Sequence, residues 1–155
     1  MSDLRELYQE VILDHSRQPR NFRRPEHANR EAKGDNPLCG DKVAVFLTIE
    51  DGKVTDVGFQ GRGCAISMAS ASLMTEIVKG KSEAEARALF ESFHDEMTGK
   101  SACHGAAAGE LDKLTVLSGV REYPMRVKCA TLSWHTLMAA LDKAQTVSTE
   151  SDNRL

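Results

Sequence analysis

Two alternating apolar runs joined by a glycine turn constrain this chain more than any other feature of it. Val43, Val45, Leu47 and Ile49 alternate with other residues, Asp51-Gly52 supplies a strong hairpin turn, and the chain returns through Val54 to Gln60. Cys39 and Cys64, 25 positions apart, bracket that hairpin. Both ends of an antiparallel hairpin lie at one edge, which brings the two thiols within reach of one metal ion. A third cysteine ends the run Arg126-Val127-Lys128-Cys129, and Asp41 stands two residues after Cys39. Three thiols and a hard oxygen donor make up the four ligands of a tetrahedral zinc or iron centre.

The flanking sequence predicts helices around this hairpin. Leu4, Leu7, Tyr8, Val11 and Ile12 form one apolar stripe on a helix that ends before Pro19. From Arg17 to Leu38 the chain is polar, basic at Arg17, Arg20, Arg23, Arg24 and Arg30, and punctuated by Pro19, Pro25, Gly34 and Pro37, the pattern of an extended, exposed loop. Ala65 to Lys79 reads as a closely packed helix stopping at Gly80, with Cys64 at its N-terminal edge. Unpaired N–H groups and the helix dipole favour a thiolate there.

Ser82 and Glu85 have capping-box spacing for a helix whose Leu89, Phe90, Phe93 and Met97 face a core. Gly99 to Gly109 reads as a mobile loop, Leu111, Leu114 and Leu117 as a short helix, and Pro124 as the start of the last helix, with Cys129 in its early turns. The polar, aperiodic run from Gln145 predicts a disordered tail at 145–155 after a single domain at 1–144. The expected fold is α+β, a small antiparallel sheet of about three strands packed by helices on one face, with the metal site exposed at one end.

Composition narrows the function. A chain of 155 residues, 41% hydrophobic, supports one domain with a real core. A formal charge of −3 with 5% aromatic residues gives neither a basic field nor stacking platforms, so nucleic acid is not an expected partner. No apolar stretch approaches the roughly 20 residues a membrane helix needs, so no membrane partner is expected. The polar start has no signal-peptide pattern, and four cysteines then point to a reducing cytoplasm, where thiols bind metal or do chemistry.

The segments Asn36-Pro37-Leu38-Cys39-Gly40-Asp41, Gly61-Arg62-Gly63-Cys64-Ala65-Ile66-Ser67 and Lys128-Cys129-Ala130-Thr131-Leu132, with Leu7-Tyr8 and Asp14-His15 through Pro19-Arg20-Asn21, closely resemble the SufU/IscU/NifU-like iron–sulfur cluster assembly family. The resemblance runs from Leu4 to about Leu141. The family contains scaffolds that build a cluster and SufU-type proteins that hold zinc and accept sulfur from a cysteine desulfurase. A scaffold has His before its last cysteine and a Leu-Pro-Pro-Val-Lys chaperone motif. Here Lys128 precedes Cys129, Tyr123 to Lys128 replaces the motif, and the stretch between Cys64 and Cys129 carries the insertion typical of SufU.

The resemblance therefore implies Zn²⁺ held by Cys39, Asp41, Cys64 and Cys129, with Cys39 as the persulfide acceptor; ligand chemistry adds the expectation that Asp41 is a labile oxygen ligand and that Arg126, one helical turn before Cys129, orients Asp41 or stabilises anionic sulfur through its guanidinium. The implied partners are a SufS-like cysteine desulfurase and downstream Suf assembly proteins. A histidine of the desulfurase would take the place of Cys39 on the zinc. The alternative is a scaffold carrying iron or a nascent [2Fe-2S] cluster on the same ligands.

Other residues have plainer readings. Cys103, beside His104 in the insertion, reads as an incidental exposed thiol, and His15 as a structural residue closing its helix. His94 and His135 are expected on helix surfaces, and Trp134 and Met138 in the core. Arg17, Arg20, Arg23 and Arg24 either solvate a loop or form a docking surface.

Overall fold

The computed structural model describes residues 2–37, 39–98, 117, 120, 123–143 and 146–148. Helix α1 (Ser2–Arg17) ends ahead of Pro19, as its stripe requires, with Ile12 packed on the core. His15 is buried and its Nδ1 lies 2.7 Å from Ser72 Oγ, which also accepts the Arg20 backbone N–H at 2.8 Å. The reading of His15 as structural agrees with this contact.

The basic loop that follows is tied down by its own charges. Arg20 pairs with Asp14 at 2.6 Å, Arg23 with Asp56 at 2.9 Å, and Arg24 with Glu31 at 3.3 Å while lying over the Phe46 ring. Asn21 turns the chain at φ 57°, and its carbonyl accepts the Phe59 N–H at 3.1 Å at the sheet edge. The loop then crosses the sheet at Gly58, where a Cβ would meet the Arg23 carbonyl oxygen.

The expectation of a loop as far as Leu38 is corrected by strand β1 (Arg30–Asn36). Its inward positions are Ala32, Gly34 and Asn36, so no bulky alternation marks it. Antiparallel pairing with β2 (Asp41–Glu50), from Arg30 opposite Leu47 to Asn36 opposite Asp41, supplies its backbone hydrogen bonds. The anticipated hairpin forms between β2 and β3 (Lys53–Arg62), turning through Asp51 and Gly52 at φ 54° and 76°. Two consecutive positive φ values match the right-handed twist of the strands.

A second correction concerns the tail. Thr146–Ser148 form strand β4, parallel to β1 at the sheet edge, giving the order β3-β2-β1-β4. Three residues held by backbone pairing leave no periodicity to read.

Helix α2 (Ala65–Val78) closes at Gly80 with φ 89°, and α3 (Glu83–Thr98) begins with the expected reciprocal cap, Ser82 N–H to Glu85 Oε1 at 2.9 Å and Glu85 N–H to Ser82 Oγ at 3.1 Å. Helix α4 (Pro124–Leu141) is buried at every position from Cys129 to Leu141, because α2, α3, β1 and β2 surround it. Trp134 and Met138 are in the core as expected, but His135 is not on the surface. It is buried in edge-to-face contact with Phe90, ring centroids 5.0 Å apart, and His94 is half-buried beside both.

The core lies between the helices and the face of the sheet carrying Val43, Val45, Leu47, Val57 and Phe59. The fold is thus α+β with helices on one face, and the anticipated three antiparallel strands gain a short fourth. The stretch at Gly99 to Gly109 and the positions Leu111 and Leu114 lie outside the described residues; Leu117 is buried in the core. Among the described residues no helix is long and apolar enough to cross a membrane.

Candidate metal centre

Each candidate ligand is positioned by a separate device. Cys39 sits in the turn between β1 and β2, whose backbone closes through Cys39 N–H and Gly40 N–H to the Asn36 carbonyl at 3.2 and 2.8 Å. Gly40 takes φ 75° there, a conformation that suits glycine. Asp41 opens β2 fully buried, and its Oδ1 accepts the Cys64 N–H at 2.9 Å.

Cys64 caps α2, its sulfur accepting the Ser67 N–H at 3.4 Å. Cys129 is fully buried in α4, accepting a hydrogen bond from Asn36 Nδ2 at 3.6 Å. The expectation of an exposed site is corrected by this burial: Asp41 and Cys129 are enclosed, and Cys39 and Cys64 are half-buried.

These devices converge. One ligand atom each from Cys39, Asp41 and Cys129 lie within 4.8 Å of one another. Cys39 Sγ is 3.5 Å from Cys129 Sγ, and Cys64 Sγ is 3.9 Å from Asp41 Oδ2. Sulfurs bound at about 2.3 Å to one tetrahedral zinc lie about 3.8 Å apart, so the Cys39–Cys129 spacing suits a single ion, while Cys64 stands outside that trio and adjoins it through Asp41. Soft thiolates with one carboxylate are a donor set for zinc or iron.

The thiols also polarise one another. Cys64 is pulled down to about 6, first by a hydrogen bond from Cys129 and then by the Ser67 and Ile66 N–H groups, against burial and the Asp41 charge. Cys129 is pushed strongly up by the same hydrogen bond, with burial and Asp41 adding to it. In the metal-free pair, Cys64 ionises and Cys129 keeps the proton.

The Arg126 pKa is raised, first by a hydrogen bond to Cys129 and then by the charge of Cys64. Arg126 also lines a groove of about 490 Å³ with Cys64, Ile66, Val120 and Tyr123, of which Tyr123 is exposed. Cys103 and His104 lie outside the described residues.

Two contributors escape a reading based on ligand types. Asn36 is buried with its amide on Cys129, and its only sequence signal is its place before Pro37 in the cysteine turn. Gly63 has ordinary backbone, yet a Cβ there would lie 2.7 Å from Asp41 Oδ1. The glycine beside Cys64 is therefore a condition for the Asp41–Cys64 contact.

Residues 7–145 match the family described as NifU-like N terminal domain. The chain belongs to the SufU/IscU/NifU-like family. It is 38% identical over 144 residues, 93% of this chain and 95% of the relative, to the zinc-dependent sulfurtransferase SufU of Bacillus subtilis. It is 36% identical over 144 residues, 93% of this chain and 88% of the relative, to the iron-sulfur cluster assembly scaffold protein IscU of Streptococcus pyogenes. Among solved structures it is similar to a putative SUF-system scaffold protein of Fervidobacterium islandicum, with a TM-score of 0.76 and 36% identity over 85% of this chain and 94% of that one. This SufU/IscU/NifU-like chain thus shares its family's fold across nearly its whole length, including all three segments that carry the candidate ligands.

Proposed function

We propose that this chain is a zinc-dependent sulfur acceptor that takes sulfane sulfur from a SufS-like cysteine desulfurase for iron–sulfur cluster assembly in the cytoplasm. Cys39, Asp41, Cys64 and Cys129 would hold the Zn²⁺. Bound zinc would keep their thiols ionised near neutral pH.

The carrying observation is the different attachment of the three cysteines. Cys64 caps a helix and Cys129 is embedded in one under an Asn36 hydrogen bond, whereas Cys39 stands half-buried in a short turn. Only Cys39 can move without disturbing a helix. Its thiolate attacks the terminal sulfur of the donor persulfide: a new S–S bond forms on Cys39, the donor's S–S bond breaks, and the donor cysteine leaves as a thiolate carrying the electron pair. No external oxidant or reductant is needed.

Arg126, whose pKa is raised by Cys129 and Cys64, would hold the anionic charge by directional hydrogen bonds. The groove at Cys64 and Tyr123 gives an apolar approach for the donor segment. Lys128 before Cys129, where a scaffold carries His, and the similarity to the B. subtilis protein support this reading. The scaffold reading is supported by the similarity to the S. pyogenes protein, because three thiolates and a carboxylate also suit a [2Fe-2S] cluster.

Anaerobic purification with metal and acid-labile sulfide analysis, followed by desulfurase turnover assays, separates the two. A sulfur acceptor holds about one zinc per chain, lacks sulfide, raises desulfurase turnover without iron and gains one sulfur atom by mass; Cys39→Ser abolishes that gain. Stoichiometric iron and sulfide that pass to an apo-protein would establish the scaffold instead.

A further inference from the structure

Three of the arginines expected to solvate a loop or form a docking surface are taken up by carboxylates of this chain: Arg20 by Asp14, Arg23 by Asp56 and Arg24 by Glu31. Uncommitted positive charge lies instead on the helix-free face of the sheet. Lys42 and Arg62 stand opposite one another on β2 and β3, and in the next row Lys33 and Gln60 flank Ala44. Val43 is buried in the core, so its neighbours Lys42 and Ala44 face away from the helices. Lys33, Lys42 and Arg62 are exposed and, among the described residues, enter no ion pair, although Asp35 stands opposite Lys42. Lys33, Lys42, Ala44 and Gln60 line a groove of about 360 Å³ on this face.

This charge sits at the Cys39 end of the sheet. Lys42 follows Cys39 by three residues, which steps of about 3.8 Å between Cα atoms keep within about 11 Å, and Arg62 on the next strand adds about 5 Å. A protein that brings a reacting sulfur onto Cys39 forms an interface centred there. A standard one covers about 800 Å² on each partner, a patch reaching about 16 Å from its centre. Lys42 and Arg62 fall inside that footprint on the sheet side of the turn, as Arg126 does on the helix side.

We propose that Lys33, Lys42 and Arg62 form a docking surface for an acidic segment of the sulfur-donating desulfurase, seated across the helix-free face; this rests on the sulfur-acceptor reading. Charge complementarity selects the occupant, because three uncommitted cations at the rim of an interface call for carboxylates opposite them. The chain as a whole carries −3, so an acidic surface is repelled by most of the molecule and attracted at this one end. That asymmetry orients the encounter with Cys39 foremost. Rim charges of this kind set the rate of productive encounter and leave the chemistry at sulfur untouched.

Desulfurase turnover titrated with the zinc-loaded chain tests this, with persulfide on Cys39 followed by mass. At low salt Lys42→Glu and Arg62→Glu should each raise the chain concentration for half-maximal activation about 5-fold, and together about 30-fold, with maximal turnover and zinc content unchanged. Lys53→Glu, an equal charge change at the far end of β3, should leave it unaltered, and added salt should narrow the gap between the double reversal and the unmodified chain. Should a reversal beside Asp41 cost zinc, Lys42→Gln/Arg62→Gln decides: a rise of about 5-fold supports the surface and no rise overturns it. Half-saturation that the double reversal leaves in place, or that Lys53→Glu raises equally, overturns the docking surface while persulfide on Cys39 keeps the acceptor reading intact. No persulfide on Cys39 at saturating chain overturns both. Self-association of the chain alone that the reversals abolish, read by sedimentation, assigns the row to a second copy and also overturns it.

Discussion

Replacing Gly63 with alanine puts a methyl carbon 2.7 Å from Asp41 Oδ1 and 3.0 Å from Asp41 Cγ. The Gly63 backbone is not in the left-handed region, so the effect is steric. Asp41 is fully buried between β2 and the start of α2 and must shift to make room, lengthening the 2.9 Å hydrogen bond from the Cys64 N–H. Overpacking costs about 1–3 kcal/mol, and weakening a hydrogen bond to a buried carboxylate costs about 1.5–3 kcal/mol. The two share one displacement and are not fully additive, so the metal-free chain should lose about 3 kcal/mol.

Because Asp41 and Cys64 would move apart as ligands, zinc affinity should fall by about 10–100-fold. Urea unfolding in chelator measures the first quantity and competition with a chromogenic zinc chelator the second. Gly80→Ala is the control: at φ 89° with open space around it, it should cost about 1 kcal/mol of stability and leave zinc affinity unchanged. If Gly63→Ala behaves like this control, losing stability but no affinity, the Asp41–Cys64 contact does not organise the metal centre.

Further outcomes follow from the same contacts. In the metal-free chain, alkylation of Cys64 should follow a titration with midpoint near 6, because its thiolate predominates above that pH, while Cys129 should resist alkylation at neutral pH; peptide mapping after iodoacetamide treatment across pH checks both. Asn36→Ala removes the amide on Cys129 and should lower zinc affinity about 10-fold, read by the same chelator competition. Ser72→Ala leaves the His15 ring and the Arg20 N–H without their shared hydroxyl, and should cost about 2–4 kcal/mol in chemical denaturation with zinc affinity unaltered. Gly58→Ala drives a Cβ into the Arg23 carbonyl and should lower Tm by several degrees, at about 2–4 °C per kcal/mol for a chain of this size.

Much of this architecture is local chemistry and is legible residue by residue. Asp51-Gly52 specifies the β2–β3 hairpin because its two positive φ values suit a glycine turn, and Ser82 with Glu85 specifies the start of α3 through its own reciprocal hydrogen bonds. Pro124 opens α4, and the cysteine and aspartate identities point to a thiolate metal site before any contact is known. These signals need only neighbours within a few residues.

What the sequence could not carry depends on partners far along the chain. Strand β1 presents Ala32, Gly34 and Asn36 inward and becomes a strand only because β2 is there to pair with it. Strand β4 likewise exists through pairing with β1, and His135 is buried because other elements pack around α4, with nothing in its own type to require it. The same holds at the site. Donor types are written in the sequence, but the buried Asp41 and Cys129, the half-buried Cys39, the Asn36 amide on sulfur and the space kept open at Gly63 arise where three segments meet. Long-range packing sets burial and distance, and those two quantities decide which thiol ionises and which can move.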